Sequence, residues 1–151
     1  MGLDGRMAAR RLSRTAVAGL ARARRASLVV IVLLLAEYGM GMYVNLYVTV
    51  PRADHGGSVR SAISNGPAVL SAHAVIGLLL GLSALAVLVL SIIARKIGVV
   101  IASVVGLFAL VVASVAGTSF TSTGQPAESM AMSVMFGVAM LCYAVNLYLM
   151  P

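Results

Sequence analysis

Hydrophobic residues fall into four long blocks along this chain, and charged or turn-forming residues separate each block from the next. Each block is long enough to cross a membrane as a helix, because ~20 apolar residues rising 1.5 Å each cover a ~30 Å hydrocarbon core. The pattern predicts helices over about residues 27–50, 67–94, 98–118 and 126–150. The predicted fold class is all-α, an integral membrane four-helix bundle formed by residues 27–151, preceded by a basic tail at residues 1–26.

Turn signals set the ends of these helices. Pro51 ends the first block, and Pro67 and Pro126 each stand where a helix begins, a position that proline favours. The pair Arg95-Lys96 predicts a tight turn between the second and third helices. The polar segment 119–125 predicts a short turn before the fourth.

Composition and charge place this bundle in a membrane. The chain is 61% hydrophobic with a mean hydropathy of +1.05, too apolar for a soluble domain. Its net charge of +7 would suit nucleic acid in a soluble protein, but the charges cluster at block ends. Nine basic residues lie before the first block or in the second turn, and two lie in the first long loop: Arg6, Arg10, Arg11, Arg14, Arg22, Arg24, Arg25, Arg95 and Lys96 against Arg52 and Arg60.

This asymmetry predicts the orientation, because basic residues stay on the cytoplasmic side. We expect both termini in the cytoplasm, in a bacterial inner membrane, with the lipid bilayer as the surroundings and no nucleic-acid partner. Small residues recur on faces of all four helices, and there are more of them than the packing of a single bundle requires. This excess predicts a homo-oligomer or a larger membrane complex.

One acidic residue interrupts the first block. Glu37 lies ten residues after Ser27, about 15 Å along the helix and close to the bilayer midplane. An ionised carboxylate facing lipid there costs about 2.5 kcal/mol or more, so the side chain is expected to face protein or to be protonated. Gly41 and Asn45 follow at intervals of four residues and share its face, which predicts an inward polar stripe.

A histidine lies inside the second block. His73 follows Pro67 by six residues, about 9 Å below the start of the helix, and an imidazole at that depth needs a partner, a metal or a wet cavity. Met132 follows Pro126 by the same six residues, so the two side chains are expected at one depth. Histidine and methionine are axial ligands of haem, so haem b is one candidate cofactor, with His73 and Met132 as its ligands.

Other chemistry is sparse. Motifs for phosphate, dinucleotide or zinc binding and for nucleophilic catalysis do not occur, so no catalytic or metal-binding residues are predicted, and no enzymatic activity. The single cysteine, Cys142, excludes an intrachain disulfide. His55 lies in the sequence Asp-His-Gly-Gly of the first loop. It is either a solvated loop histidine or a residue that binds a metal ion or carries a proton.

Three resemblances rest on short segments. The stretches 45–51 (NLYVTVP), 73–77 (HAVIG) and 117–120 (GTSF) look like an uncharacterised family of actinobacterial four-helix membrane proteins, which implies fold and location over about residues 27–150 but no activity. His73 with Gly77 faintly resembles the histidine helices of small b-type cytochromes and haem A synthase, which usually pair two histidines. Glu37 in Leu-Ala-Glu looks like the coupling carboxylate of small multidrug exporters.

The function expected from the sequence is that of a non-enzymatic accessory protein or complex subunit in the membrane. Two alternatives stay open. One is a haem- or quinone-linked electron-transfer protein that uses His73. The other is a proton-coupled small-molecule exporter that uses Glu37.

Overall fold

The computed structural model describes residues 3–48, 64 and 66–150, with side chains from residue 19 onward. The described chain is all-α, as predicted, and contains four long helices: α1 (Leu3–Tyr47), α2 (Ala68–Ala94), α3 (Ile97–Thr123) and α4 (Pro126–Leu149). Within α1, the apolar part is Gly19–Tyr47, and all four helices are long and apolar enough to cross a membrane.

Two helices extend beyond their predicted bounds. The basic tail is not separate from the first helix, because α1 runs without a break from Leu3; its Ala, Arg and Leu residues favour a helix and no proline interrupts it. α3 continues to Thr123, through most of the segment predicted as a turn. Polar side chains there hydrogen-bond to carbonyls of their own helix instead of ending it: Thr118 to Val115 (2.8 Å), Thr121 to Thr118 (2.7 Å) and Ser122 to Thr118 (3.4 Å).

Two tight turns connect the last three helices. Arg95 ends α2 in the left-handed conformation, with φ 54°, and Lys96 precedes α3. Gly124 ends α3 with φ 66°, a conformation that glycine adopts without strain. We call the end of the bundle with Arg95 and Lys96 the basic end, and the opposite end the Gly124 end. At the basic end, the Lys96 ammonium donates a hydrogen bond to the carbonyl of Leu149, in the last turn of α4.

The four helices pack as a ring. Each helix contacts the next one along the chain, and α4 contacts α1. The α3–α4 and α1–α2 pairs are the most extensive, and the α1–α4 seam is the least. The middle of the ring is an apolar core of nine buried residues: Val30, Leu34, Leu80, Ala84, Val87, Ala109, Leu110, Ala139 and Tyr143. The loose α1–α4 seam is where the candidate site lies.

A polar layer crosses the bundle between this core and a second apolar cluster at the basic end (Ala23, Val99 and Met150). The layer takes one buried residue from each helix: Ser27, Ser91, Ser103 and Asn146. Asn146 is 0% exposed and donates from Nδ2 to Oγ of Ser103 at 2.9 Å. The hydroxyls of Ser91 and Ser103 lie 3.2 Å apart, so three of the helices are linked here.

Candidate functional site

Glu37 of α1 and His73 of α2 meet inside the bundle. The Oε1 atom of Glu37 lies 3.0 Å from Nδ1 of His73, within the range of an ion pair if the imidazole is protonated. The two helices pack against each other with these polar residues at the α1–α2 contact, so Glu37 and His73 lie at the same depth in the bundle. The structure thus joins two residues that the sequence places in separate helices.

Glu37 is buried, His73 is partly exposed, and the hydrogen-bonding capacity of the pair is incompletely satisfied. Glu37 is 4% exposed, and its Oε2 atom has no hydrogen-bond partner among the described residues. The Nδ1 atom of His73 likewise directs no aligned hydrogen bond at a described group, in spite of its short distance to the carboxylate. The contact is therefore a close approach of two groups and not a formed hydrogen bond, and one carboxylate oxygen is left to accept a donor.

Two glycines make room for the pair. A Cβ atom on Gly77 would lie 2.9 Å from Oε1 of Glu37, closer than real contacts allow, so the carboxylate occupies the space that a side chain would fill. A Cβ atom on Gly41 would lie 3.4 Å from Cε1 of His73, an ordinary contact. The absent side chain of Gly77 therefore fixes where the carboxylate can lie, whereas Gly41 only accommodates the ring.

The pair opens into a cleft along the α1–α4 seam, which we call the α1–α4 cleft. Its volume is about 40 Å³, enough for two or three water molecules at ~10–15 Å³ each. Two turns of α1, His73 and two turns of α4 line it: Glu37, Tyr38, Gly41, Met42, Asn45, Ser129, Met132, Ser133 and Phe136. The lining combines one carboxylate and one imidazole with an amide, two hydroxyls, two aromatic rings and two thioethers.

The cleft leads toward the Gly124 end. Asn45 lies eight residues from Glu37 along α1, about 12 Å nearer that end, and Ser129 lies in the first turn of α4. In the opposite direction the bundle is filled by buried leucines of the core, Leu34, Leu80 and Leu110. The apolar core therefore separates the Glu37–His73 pair from the polar layer near the basic end.

The predicted site residues have different outcomes. Glu37 and His73 come together. Met132 lines the same cleft as His73, in agreement with the equal spacing from the two prolines. Asn45 also lines the cleft, but its side chain is exposed and not turned into the bundle as the stripe predicted. His55 lies outside the described residues.

His73 and Met132 do not fit a haem as they are placed. A macrocycle needs several times the space of two or three water molecules, and the cleft between these residues offers no more than that. The Met132 sulfur lies against α3, 3.2 Å from where a Cβ atom of Gly117 would be, and so it packs between helices. Nδ1 of His73 lies beside Glu37. No step of a mechanism is therefore assigned to haem.

Several lining residues were not predicted as part of a site. Nothing in the sequence marks Tyr38, Met42 and Phe136 as site residues, because aromatic and methionine residues are common throughout membrane helices. The spacing of Ser129, Ser133 and Gly137 favours close helix packing. The structure places both serines in the cleft wall, and Ser133 is also exposed at the surface of α4. Only the tertiary arrangement of α1 and α4 shows that these serines border a cleft.

The charges of the cleft are few. Among the residues that line it, the titratable ones are Glu37, His73 and Tyr38. Glu128, one turn before Met132, is held by a hydrogen bond from the Thr123 hydroxyl at the α3–α4 turn. Across the described residues, no group of three or more histidine, cysteine, aspartate or glutamate side chains could hold a metal ion. The buried carboxylate and its imidazole thus dominate the electrostatics of the cleft.

Comparison of this chain with protein-family models, with curated proteins and with solved structures gave no match. The resemblance to actinobacterial membrane proteins stays a prediction. Arguments about function rest on the chemistry of the cleft and on the surfaces of the helices.

Proposed function

We propose that this chain is a small multi-pass protein of the bacterial inner membrane, with both termini in the cytoplasm, that acts as a non-enzymatic accessory protein or subunit of a membrane complex. Its four apolar helices support membrane insertion. The cluster of arginines before the first apolar block, together with Arg95 and Lys96, supports a cytoplasmic basic end.

The observation that carries the subunit role is a set of glycines that no part of the described chain covers. A Cβ atom on Gly39, Gly81 or Gly137 would meet nothing within 4 Å, whereas on Gly98, Gly106 or Gly117 it would press on another helix. Glycines at helix surfaces allow the backbone of another helix to approach closely, which is how membrane helices associate. The first three glycines therefore offer packing surfaces beyond those that the bundle uses.

The exposed face of α4 is the best formed of these surfaces. Ser133 and Gly137 lie four residues apart and are both exposed, in the small-xxx-small spacing of helix contacts. The Ser133 hydroxyl donates to the carbonyl of Ser129 at 3.0 Å and does not need a partner of its own. We propose that this face packs against a second copy of the chain or against a helix of a larger complex.

A leucine at position 137 tests this role. Because the added side chain would hold another helix away, Gly137→Leu is expected to convert the oligomer or complex recovered in mild detergent into the single chain. The measurement is the mass of the purified species by light scattering, with cross-linking in membranes as a second readout.

Ala131→Leu is the matched control, since Ala131 is exposed on another side of α4. Its mass should equal that of the unsubstituted chain. If the unsubstituted chain is itself a single chain without a stoichiometric partner, or if Gly137→Leu leaves the mass unchanged, the subunit proposal is wrong.

A second candidate is proton-coupled export with Glu37 as the coupling residue. The observation in its favour is a buried carboxylate that opens into a cleft toward one end of the bundle only. Such a protein must first bind a substrate at this carboxylate. That requirement is tested by the binding experiment of the next section.

A further inference from the structure

We propose that the α1–α4 cleft is a binding site for a primary ammonium group, which pairs with the carboxylate of Glu37 beside His73. The group can come from a small free amine or from a lipid head group that carries a primary amine. The inference concerns binding alone and is independent of the subunit role proposed above.

The carboxylate provides the recognition. Oε2 of Glu37 is buried and has no hydrogen-bond partner in the described part of the chain, so it costs free energy until a donor reaches it. An ammonium group carries three N–H donors and a full positive charge, which an ionised carboxylate in an apolar environment attracts strongly. Water can supply the donors but not the charge.

The cleft wall beyond the carboxylate is also polar. The Asn45 amide and the Ser129 hydroxyl lie on its two sides, nearer the Gly124 end. The rings of Tyr38 and Phe136 line the same cleft, and aromatic faces attract cations. The lining is therefore apolar around a small number of oxygen acceptors, as expected for a site that takes a polar head with an apolar tail.

The size of the cleft selects the head group. Its volume of about 40 Å³ holds two or three water molecules, so a primary ammonium group can replace one of them next to Glu37. A trimethylammonium group has no N–H donor and replaces each hydrogen with a methyl group, and it is too wide to reach the carboxylate. The site should therefore distinguish primary from quaternary amines of equal charge.

The imidazole lies next to the proposed ammonium site and reports on its occupation. Nδ1 of His73 lies 3.0 Å from Oε1 of Glu37 without an aligned hydrogen bond, so no formed hydrogen bond holds the carboxylate to the ring. An ammonium group that pairs with the carboxylate therefore changes the surroundings of the ring without breaking a hydrogen bond to it.

Nitrogen NMR of the imidazole tests the binding directly. The chain has two histidines, so a His55→Gln variant labelled with ¹⁵N-histidine reports on His73 alone. We expect n-butylammonium, added to this variant in phosphatidylcholine nanodiscs at constant pH, to shift the ring signals in a saturable way. Butyltrimethylammonium should leave them unchanged at the same concentration.

Two variants separate the site from its surroundings. Glu37→Gln should abolish the saturable response, because the carboxylate is lost. Glu128→Gln should retain it, since that carboxylate lies at the α3–α4 turn, bonded to Thr123. Nanodiscs made with phosphatidylethanolamine identify the source of the ammonium group. His73 ring signals that are already shifted before any amine is added indicate the lipid, and signals equal to those in phosphatidylcholine indicate the free amine.

The proposal is overturned by any of three results: an equal response to the quaternary amine, a response that persists in Glu37→Gln, or no response to n-butylammonium while the spectrum of the nanodisc sample remains that of a folded protein. None of these outcomes bears on the oligomeric mass, so failure here leaves the subunit role standing. A failure to bind amines would, however, exclude the second candidate function, proton-coupled export, for amine substrates.

Discussion

Gly77 decides where the charged group of the cleft lies, although it carries no charge and no side chain. Its backbone lies so close to Glu37 that an added Cβ atom would be 2.9 Å from Oε1. Because that oxygen is the end of a flexible side chain, the carboxylate can move away at small cost. The position of the carboxylate relative to His73 therefore depends on one missing methyl group.

Gly77→Ala is expected to separate the carboxylate from the imidazole while leaving the bundle folded. The ring signals of His73 should shift in the His55→Gln background, and the thermal midpoint should change little. Gly41→Ala is the matched control, since its Cβ atom would make an ordinary 3.4 Å contact with His73. Equal ring shifts in both variants would show that Gly77 has no special role.

At the scale of helices, the α3–α4 pair is the most extensively packed in the bundle. Gly106 of α3 packs directly on α4, where a Cβ atom would lie 2.9 Å from the Tyr143 ring and 3.2 Å from Cβ of Cys142. Neither contact can be relieved by a flexible side-chain end, because a buried ring and a Cβ atom move only with their helix. The looser α1–α4 seam is left to form the cleft.

Gly106→Ala should therefore push α3 from α4 and lower the free energy of unfolding by about 1–3 kcal/mol, the usual cost of overpacking. Gly81→Ala is the control: it meets nothing within 4 Å, and alanine favours a helix by up to about 1 kcal/mol over glycine. Denaturant unfolding in detergent measures both. A Gly106→Ala variant as stable as the unsubstituted chain would contradict the close packing described here.

For the whole molecule, two polar levels lie on either side of an apolar core. The Glu37–His73 pair connects to the Gly124 end through its cleft, and the layer around Ser103 and Asn146 is enclosed near the basic end. Leucines fill the space between them. In this arrangement the cleft extends toward one end of the bundle, and the orientation of the chain decides which compartment that end faces.

Cysteine labelling tests the orientation. In a Cys142→Ser background, Ser122→Cys near the Gly124 end should react with a membrane-impermeant maleimide in intact cells. Ile97→Cys at the basic end should react only after the cells are permeabilised, because the arginine cluster is expected to hold that end in the cytoplasm. Both positions are exposed. The reverse pattern would overturn the proposed topology and place the cleft on the cytoplasmic side.

The sequence by itself determined the all-α class, and for the described part of the chain it determined the number of long helices and most of their approximate ends. Blocks of apolar residues and the turns at Pro67, Arg95 and Pro126 are local signals. It also placed Glu37 and His73 within apolar helices and left open whether they pair. Local signals misplaced the end of α3, where hydroxyl side chains bond back to their own helix, and they did not show that α1 continues from the basic tail.

Only the tertiary structure decided which polar residues meet. Pairing of Glu37 with His73, the exposure of Asn45 and the role of Ser129 in a cleft all depend on how four helices rotate and slide against each other. Helix rotation is set by close packing such as that of Gly106 on Tyr143 and Cys142, and those contacts join residues far apart in the chain. A periodic pattern defines the face of one helix, but the partner of that face is chosen by packing.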